Sequence, residues 1–236
     1  MFSRLIERIF VAIVLASLVA CASGPKQKSL ISDGINTETR QRVEAWKSLI
    51  ENGTSKSDID KLNSANEFVN EIEFVDDIYH WKKQDYWATP LQTLVTEAGD
   101  CEDLSIAKYF TLTAMGLDEN KLRLTYVKAL TINKAHMVVS YFAEPNSEPL
   151  VLDNLNKAIL PASQRQDLLP VYSFNGEGLW LAKREEGGRY AGTSDRMGLW
   201  QGLLQSMDAE ASNEAAMICL YQYYDLADEK AKTFCP

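Results

Sequence analysis

The chain has 236 residues, 46% hydrophobic and 24% charged, which is the composition of one globular domain with a small appendage and excludes a wholly disordered or fibrous protein. Its net charge is −9 and no run of five or more lysines and arginines occurs, so it lacks the phosphate-neutralising patch of a nucleic-acid binder. Only two histidines (His80, His136) and four cysteines (Cys21, Cys101, Cys219, Cys235) are present, so cysteine–histidine chemistry has few pairings to choose from.

Residues 1–8 carry Arg4 and Arg8, and residues 9–20 form an apolar run too short for the ~20 residues of a membrane-spanning helix. A basic start, a short apolar run and small residues at its end predict a signal peptide over residues 1–20, and hence export to the periplasm. Leu18-Val19-Ala20-Cys21 resembles a lipoprotein lipobox, with Cys21 as the lipid-bearing residue. Ala20-Cys21-Ala22 equally fits an ordinary cleavage site. Residues 21–36 are polar and turn-rich, a tether to a folded domain over 37–236.

Within that domain, Val43, Trp46, Leu49 and Ile50 recur at helical spacing over residues 37–51, and Ile59, Leu62, Ala65, Phe68, Val69 and Ile72 over residues 56–76. Ser57 with Asp60 is a weak capping signal for the second helix. Tyr79, Trp81, Tyr86 and Trp87 cluster ahead of Thr89-Pro90, where a helix starts or the chain bends. Residues 101–115 predict a buried helix: Gly99-Asp100 breaks before it, Glu102 and Asp103 sit in its first turn, and Gly116 stops it. Strand-like runs follow at 122–127, 136–142 and 150–153, with further short strands at 171–174 and 179–181. Their short gaps indicate an antiparallel meander. Residues 184–196 read as a glycine-rich, charged loop, and 198–234 return to helical spacing. The fold class is α+β: N-terminal helices, a buried central helix on an antiparallel sheet, then C-terminal helices.

Cys101 falls at the start of the buried helix, a position that lowers a thiol pKa. A cysteine nucleophile needs a base and a group to orient that base. His136 opens one predicted strand and Asp153 closes the next, so a hairpin between them brings both to one face if the register slips by an even number of residues. Each residue also has a plain structural role available: a buried small hydrophobe, a core histidine, a turn cap.

The segments GDCEDLSIAKYFTL, LRLTYV, AHMVVSY, VLDNL, PVYSFN and GLW resemble the bacterial transglutaminase-like cysteine proteinases from about Val43 to Leu181. The resemblance implies a transglutaminase/papain-like fold, with Cys101 as nucleophile, His136 as general base and Asp153 as orienting group. It also implies Ca²⁺ beside the nucleophile, with Asp100, Glu102 and Asp103 matching the acidic surround; plain helix capping is the alternative for these three. It further implies a periplasmic endopeptidase that cuts the N-terminal region of a large surface adhesin and promotes biofilm dispersal. Its implied partner is an inner-membrane LapD-like receptor that sequesters the protease when cyclic-di-GMP is high. Two other functions fit the same residues: a transglutaminase or amidase using the same triad, and a non-catalytic lipoprotein binding calcium or a partner. In an exported chain, Cys219 and Cys235 are expected to form a disulfide, the alternative being two unpaired thiols.

Overall fold

The computed structural model describes residues 37–145, 147–182 and 188–212. The signal peptide, the tether, the Cys219–Cys235 pair and the helical stretch beyond residue 212 lie outside the described residues.

Helices α1 (Thr37–Gly53) and α2 (Asp58–Val69) form where apolar side chains recur every three to four residues, and Val43, Trp46, Ile50, Leu62, Ala65 and Val69 are buried. The Ser57 hydroxyl caps α2 by accepting from the Asp60 N–H. The helical reading of residues 56–76 runs too far. After Val69 the chain turns into a short strand, β1 (Glu73–Phe74). The Asn70 side-chain amide donates to the Asp153 carbonyl and to Asn66 Oδ1, so tertiary bonds hold Asn70 and the helix ends there.

A single turn, α3 (Asp77–His80), precedes α4 (Pro90–Thr96). Thr89 and Gln92 close a capping box around Pro90 in the first turn of α4. Strand β2 (Ala98–Gly99) pairs with β1 in parallel, and only Asp100 separates it from α5 (Cys101–Ala114). Every α5 residue from Cys101 to Thr113 is buried except Glu102, as the all-round apolar sequence predicts. Gly116, at φ +76°, follows the helix in the left-handed conformation that glycine accepts without strain.

The chain then builds β3 (Leu122–Ala129), β4 (Lys134–Tyr141), β5 (Leu150–Leu152), β6 (Leu160–Pro161), β7 (Leu168–Phe174), β8 (Leu179–Leu181) and β9 (Arg189–Gly192). These form a seven-stranded antiparallel sheet in the order β6-β5-β4-β3-β7-β8-β9. Residues 189–192 were expected in a loop. They lack alternation, and it is backbone pairing with β8, with Tyr190 against the Trp180 ring, that makes them a strand. One sheet face contributes Leu122, Leu124, Met137, Val139, Leu152 and Phe174 to the core, packed on α5. The opposite face holds a smaller cluster of Val127, Val138 and Val151. Helix α6 (Gly198–Ser212) closes the core with Trp200, whose ring stacks on Phe110 at 5.8 Å. Among the described residues no helix is long and apolar enough to cross a membrane.

Candidate active site

Asp100 is the N-cap of α5, and its Oδ1 accepts from the Glu102 and Asp103 N–H groups. Cys101 is therefore the first helical residue, where the backbone N–H has no acceptor within the helix. Its side chain is 9% exposed. The thiol donates to Glu102 Oε2 and the sulfur accepts a backbone hydrogen bond from Met137 on β4. One turn further along α5, Ser105 Oγ donates to the Met137 carbonyl at 2.9 Å. Both backbone polar groups of Met137 thus serve α5. They can do so because β5 pairs with β4 only from Val139 onward. The start of α5 is thereby locked against the residue next to His136.

His136 is 2% exposed, and its Nε2 lies 2.7 Å from Asp153 Oδ1. The β4–β5 register pairs Val139 with Leu152 and Ser140 with Val151. Asp153 lies one residue past the end of β5, and its side chain reaches His136 from there. Asp153 Oδ1 also accepts from the Leu155 N–H at 3.0 Å, and Oδ2 accepts from Arg165 Nη2 at 2.6 Å. Burial opposes a charge on Asp153, but His136, Arg165 and the Leu155 N–H outweigh it and hold the carboxyl well below the usual range. A carboxylate only accepts, so Nε2 of His136 carries the proton in this bond.

A second group of carboxylates adjoins the helix start. Asp77, Asp100 and Asp103 each place an oxygen within 4.8 Å of the others, and Asp100, Cys101 and Glu102 form an overlapping set. Asp103 is fully buried; Oδ1 accepts from the Ala88 N–H at 2.7 Å and Oδ2 from Trp81 Nε1 at 3.1 Å. Asp77 is 5% exposed; Oδ2 accepts from the Tyr86 N–H, while Oδ1 has no partner among the described residues. Burial and mutual repulsion push Asp100 up to about 9, Asp103 to about 7 and Asp77 to about 6. Burial, with the charges of Glu102 and Asp100, likewise pushes the Cys101 thiol well up.

The family model of the bacterial transglutaminase-like cysteine proteinases (BTLCP) matches residues 35–181. The chain belongs to this family. Among solved structures, LapG of Legionella pneumophila is 40% identical, covering 86% of this chain and 97% of that one, with a TM-score of 0.67. Its EGTA-treated form is 40% identical over the same shares, with a TM-score of 0.68. The calcium-bound form is 44% identical over 73% of this chain and 92% of that one, with a TM-score of 0.66. No curated protein matches the chain. The protein is a LapG-like cysteine peptidase, and its mixed helical and antiparallel fold is the one the family implies.

In this proteinase, α5 meets the backbone of Met137, the neighbour of His136, through Cys101 and Ser105, and His136 bonds to Asp153. Asp100 and Asp103 join the carboxylate group, and Glu102 reaches it through Asp100 and the thiol. His80 lies elsewhere, its Nε2 2.9 Å from Thr96 Oγ1. Asp103 bonds to two donors from the segment before α4, so it is a structural staple as well as a member of the cluster. Sequence reasoning missed Asp77 and Arg165. Asp77 lies in a short turn that periodicity does not reveal, and Arg165 in a connection between strands. Only their tertiary contacts mark them out.

Proposed function

We propose that this chain is a calcium-dependent cysteine endopeptidase of the periplasm that cuts the N-terminal region of a large surface adhesin, releasing it and promoting biofilm dispersal. The observation that carries the reading is the buried His136–Asp153 pair, locked through Met137 to the cysteine that begins α5. Cys101 is the nucleophile, His136 the general base and Asp153 the group that orients it. His136 Nδ1 takes the thiol proton and the sulfur attacks a peptide carbonyl. The Cys101 N–H at the helix start helps to hold the oxyanion. The imidazolium returns its proton to the leaving amine, and water then hydrolyses the thioester.

The residues present fit a calcium ion. Hard carboxylate oxygens suit Ca²⁺, and the unpartnered Oδ1 of buried Asp77 belongs to the same group as Asp100 and Asp103. Asp77, Asp100 and Asp103, with Glu102 at the rim, would hold the ion. Bound there, it would neutralise the negative charge beside the sulfur. The calcium-bound form of Legionella LapG supports this reading. The adhesin and the LapD-like cyclic-di-GMP receptor as inner-membrane partner follow from the family resemblance; periplasmic export, with Cys21 either lipid-bearing or beside an ordinary cleavage site, follows from residues 1–22.

The test is incubation of the purified protein with the N-terminal region of a co-occurring giant adhesin, with and without EGTA. New peptide termini that appear only without chelator are expected. Isopeptide products without new termini would assign the same triad to acyl transfer instead. Full cleavage by calcium-stripped protein in excess EGTA would leave the carboxylates a capping role alone.

A further inference from the structure

Asp153 is 1% exposed, and its two oxygens are not equally supported. Oδ1 accepts from both His136 Nε2 and the Leu155 N–H. Oδ2 has one hydrogen-bond donor among the described residues, Arg165 Nη2 at 2.6 Å. Arg165 is itself 3% exposed and follows the single 3₁₀ turn Ala162–Gln164 between β6 and β7. Its Nε and Nη2 also donate to Asp167, at 3.0 and 2.8 Å. The guanidinium thus bridges a buried carboxylate and a partly exposed one. Burying a guanidinium is unfavourable until partners compensate its charge. The Asp167 bonds are local to the β6–β7 connection. The reach inward to Asp153 joins that connection to the carboxylate that bonds His136.

We infer that Arg165 is a positioning residue for catalysis: its Nη2 fixes the rotation of the Asp153 carboxylate, so that Oδ1 stays aimed at His136 Nε2 and the imidazole keeps the tautomer whose Nδ1 can accept the thiol proton. The inference rests on the roles proposed above for His136 and Asp153. Without Arg165, Oδ2 has no donor and the carboxylate can turn away from the ring. The other charges facing this group are His136 on β4 and Lys108 on α5; Asp167 lies beyond Arg165, and Lys157 acts on Lys108. With Arg165 gone, burial of Asp153 is opposed chiefly by His136 and the Leu155 N–H, and its carboxyl titrates at higher pH.

The test uses calcium-loaded full-length enzyme carrying Arg165→Met or Arg165→Gln. For Arg165→Met, kcat should fall on the order of 10²-fold, the scale of a misaimed catalytic group, with KM nearly unchanged. The acid arm of the kcat profile should move to higher pH, and Arg165→Gln should lie between Arg165→Met and wild type. In a Cys101→Ala background, the low-field proton resonance of the His136 Nε2–H bond should be lost with Arg165→Met. An unchanged kcat with an unmoved acid arm overturns the inference. So does a loss of kcat in which the acid arm and the low-field resonance both stay in place, because that is a purely structural effect. Should Arg165→Met fail to fold, Arg165→Gln is read by the same two signatures with the same consequences. The resonance needs no substrate, so it decides on Arg165 even if wild-type protein cleaves no peptide and the peptidase reading itself fails.

Discussion

At the scale of single residues, Cys101 and His136 carry the sharpest expectation. Cys101→Ala removes a sulfur at a helix start and leaves the Asp100 cap and the Ser105–Met137 bond in place. Adhesin cleavage should drop by at least about 10³-fold, with the circular dichroism spectrum unchanged. His136→Ala should be comparably inactive and His80→Ala should keep most of its activity, since the His80 side chain bonds to Thr96 and packs on Trp81 rather than meeting Asp153. A dead His80→Ala enzyme beside an active His136→Ala one would reverse the assignment of the base. Asp77 has a different signature. Its unpartnered Oδ1 belongs to the carboxylate group, so Asp77→Asn should raise the calcium concentration needed for half-maximal cleavage while leaving the rate at saturating calcium near wild type. Magnesium should substitute poorly in both proteins because it demands a tighter octahedral shell. Equal calcium titrations for variant and wild type would remove Asp77 from the site.

At the scale of elements, the junction of β2 and α5 is held by close approach. A Cβ on Gly99 would lie 2.7 Å from Asp103 Cβ and 2.9 Å from Asp103 Oδ2. Asp103 cannot yield easily, because its carboxylate is tied to the Ala88 N–H and to Trp81. Gly99→Ala should therefore cost about 1–3 kcal/mol, as overpacking of a filled interior does, and should weaken calcium binding along with it. Chemical denaturation and calcium titration of the same sample check both. Helix α5 also carries a buried cation. Lys108 is fully buried, its Nζ has no hydrogen-bond partner among the described residues, and burial lowers it to about 7 although the charge of Asp153 works the other way. In the unfolded chain a lysine titrates near its ordinary value of about 10.4. Between those two values the unfolded state binds a proton that the fold does not, so this group makes stability rise with pH across the window, and its full cost is felt below about pH 7. Lys108→Met should abolish that slope. Its gain over wild type in urea unfolding should be larger at pH 6 than at pH 9, and a gain independent of pH would show that Lys108 is not the source.

At the scale of the whole molecule, one aromatic cluster joins α5, β7 and α6. Trp200 on α6 is fully buried, stacks on Phe110 of α5 and meets Phe174 of β7 edge-on at 5.3 Å. Trp200→Ala should cost about 3–5 kcal/mol, the usual cost of truncating a core aromatic, and lower the thermal midpoint accordingly. The active site lies at the opposite end of α5, so kcat measured well below the new midpoint should change little. Much of this architecture can be read from residue order. The all-round apolar run after Gly99-Asp100 specifies a buried helix that begins at Cys101, alternation specifies β3, and β-rich runs bounded by turns mark β4, β5, β7 and β8, because periodicity, composition and capping are local properties. The end of α2 at Val69 and the strand at Arg189–Gly192 are not legible in the same way, since a side-chain bond to Asp153 and pairing with β8 decide them. The site divides along the same line. Residue type and spacing by themselves determined that Cys101 would stand at a helix start, His136 on a strand and Asp153 at the end of the next one. Only the tertiary structure decided the close approach of His136 to Asp153, the Met137 bridge to α5, and the recruitment of Asp77 and Arg165. Register and side-chain contacts between segments far apart in the chain are set by the packing of whole faces against each other, which no local run of residues encodes.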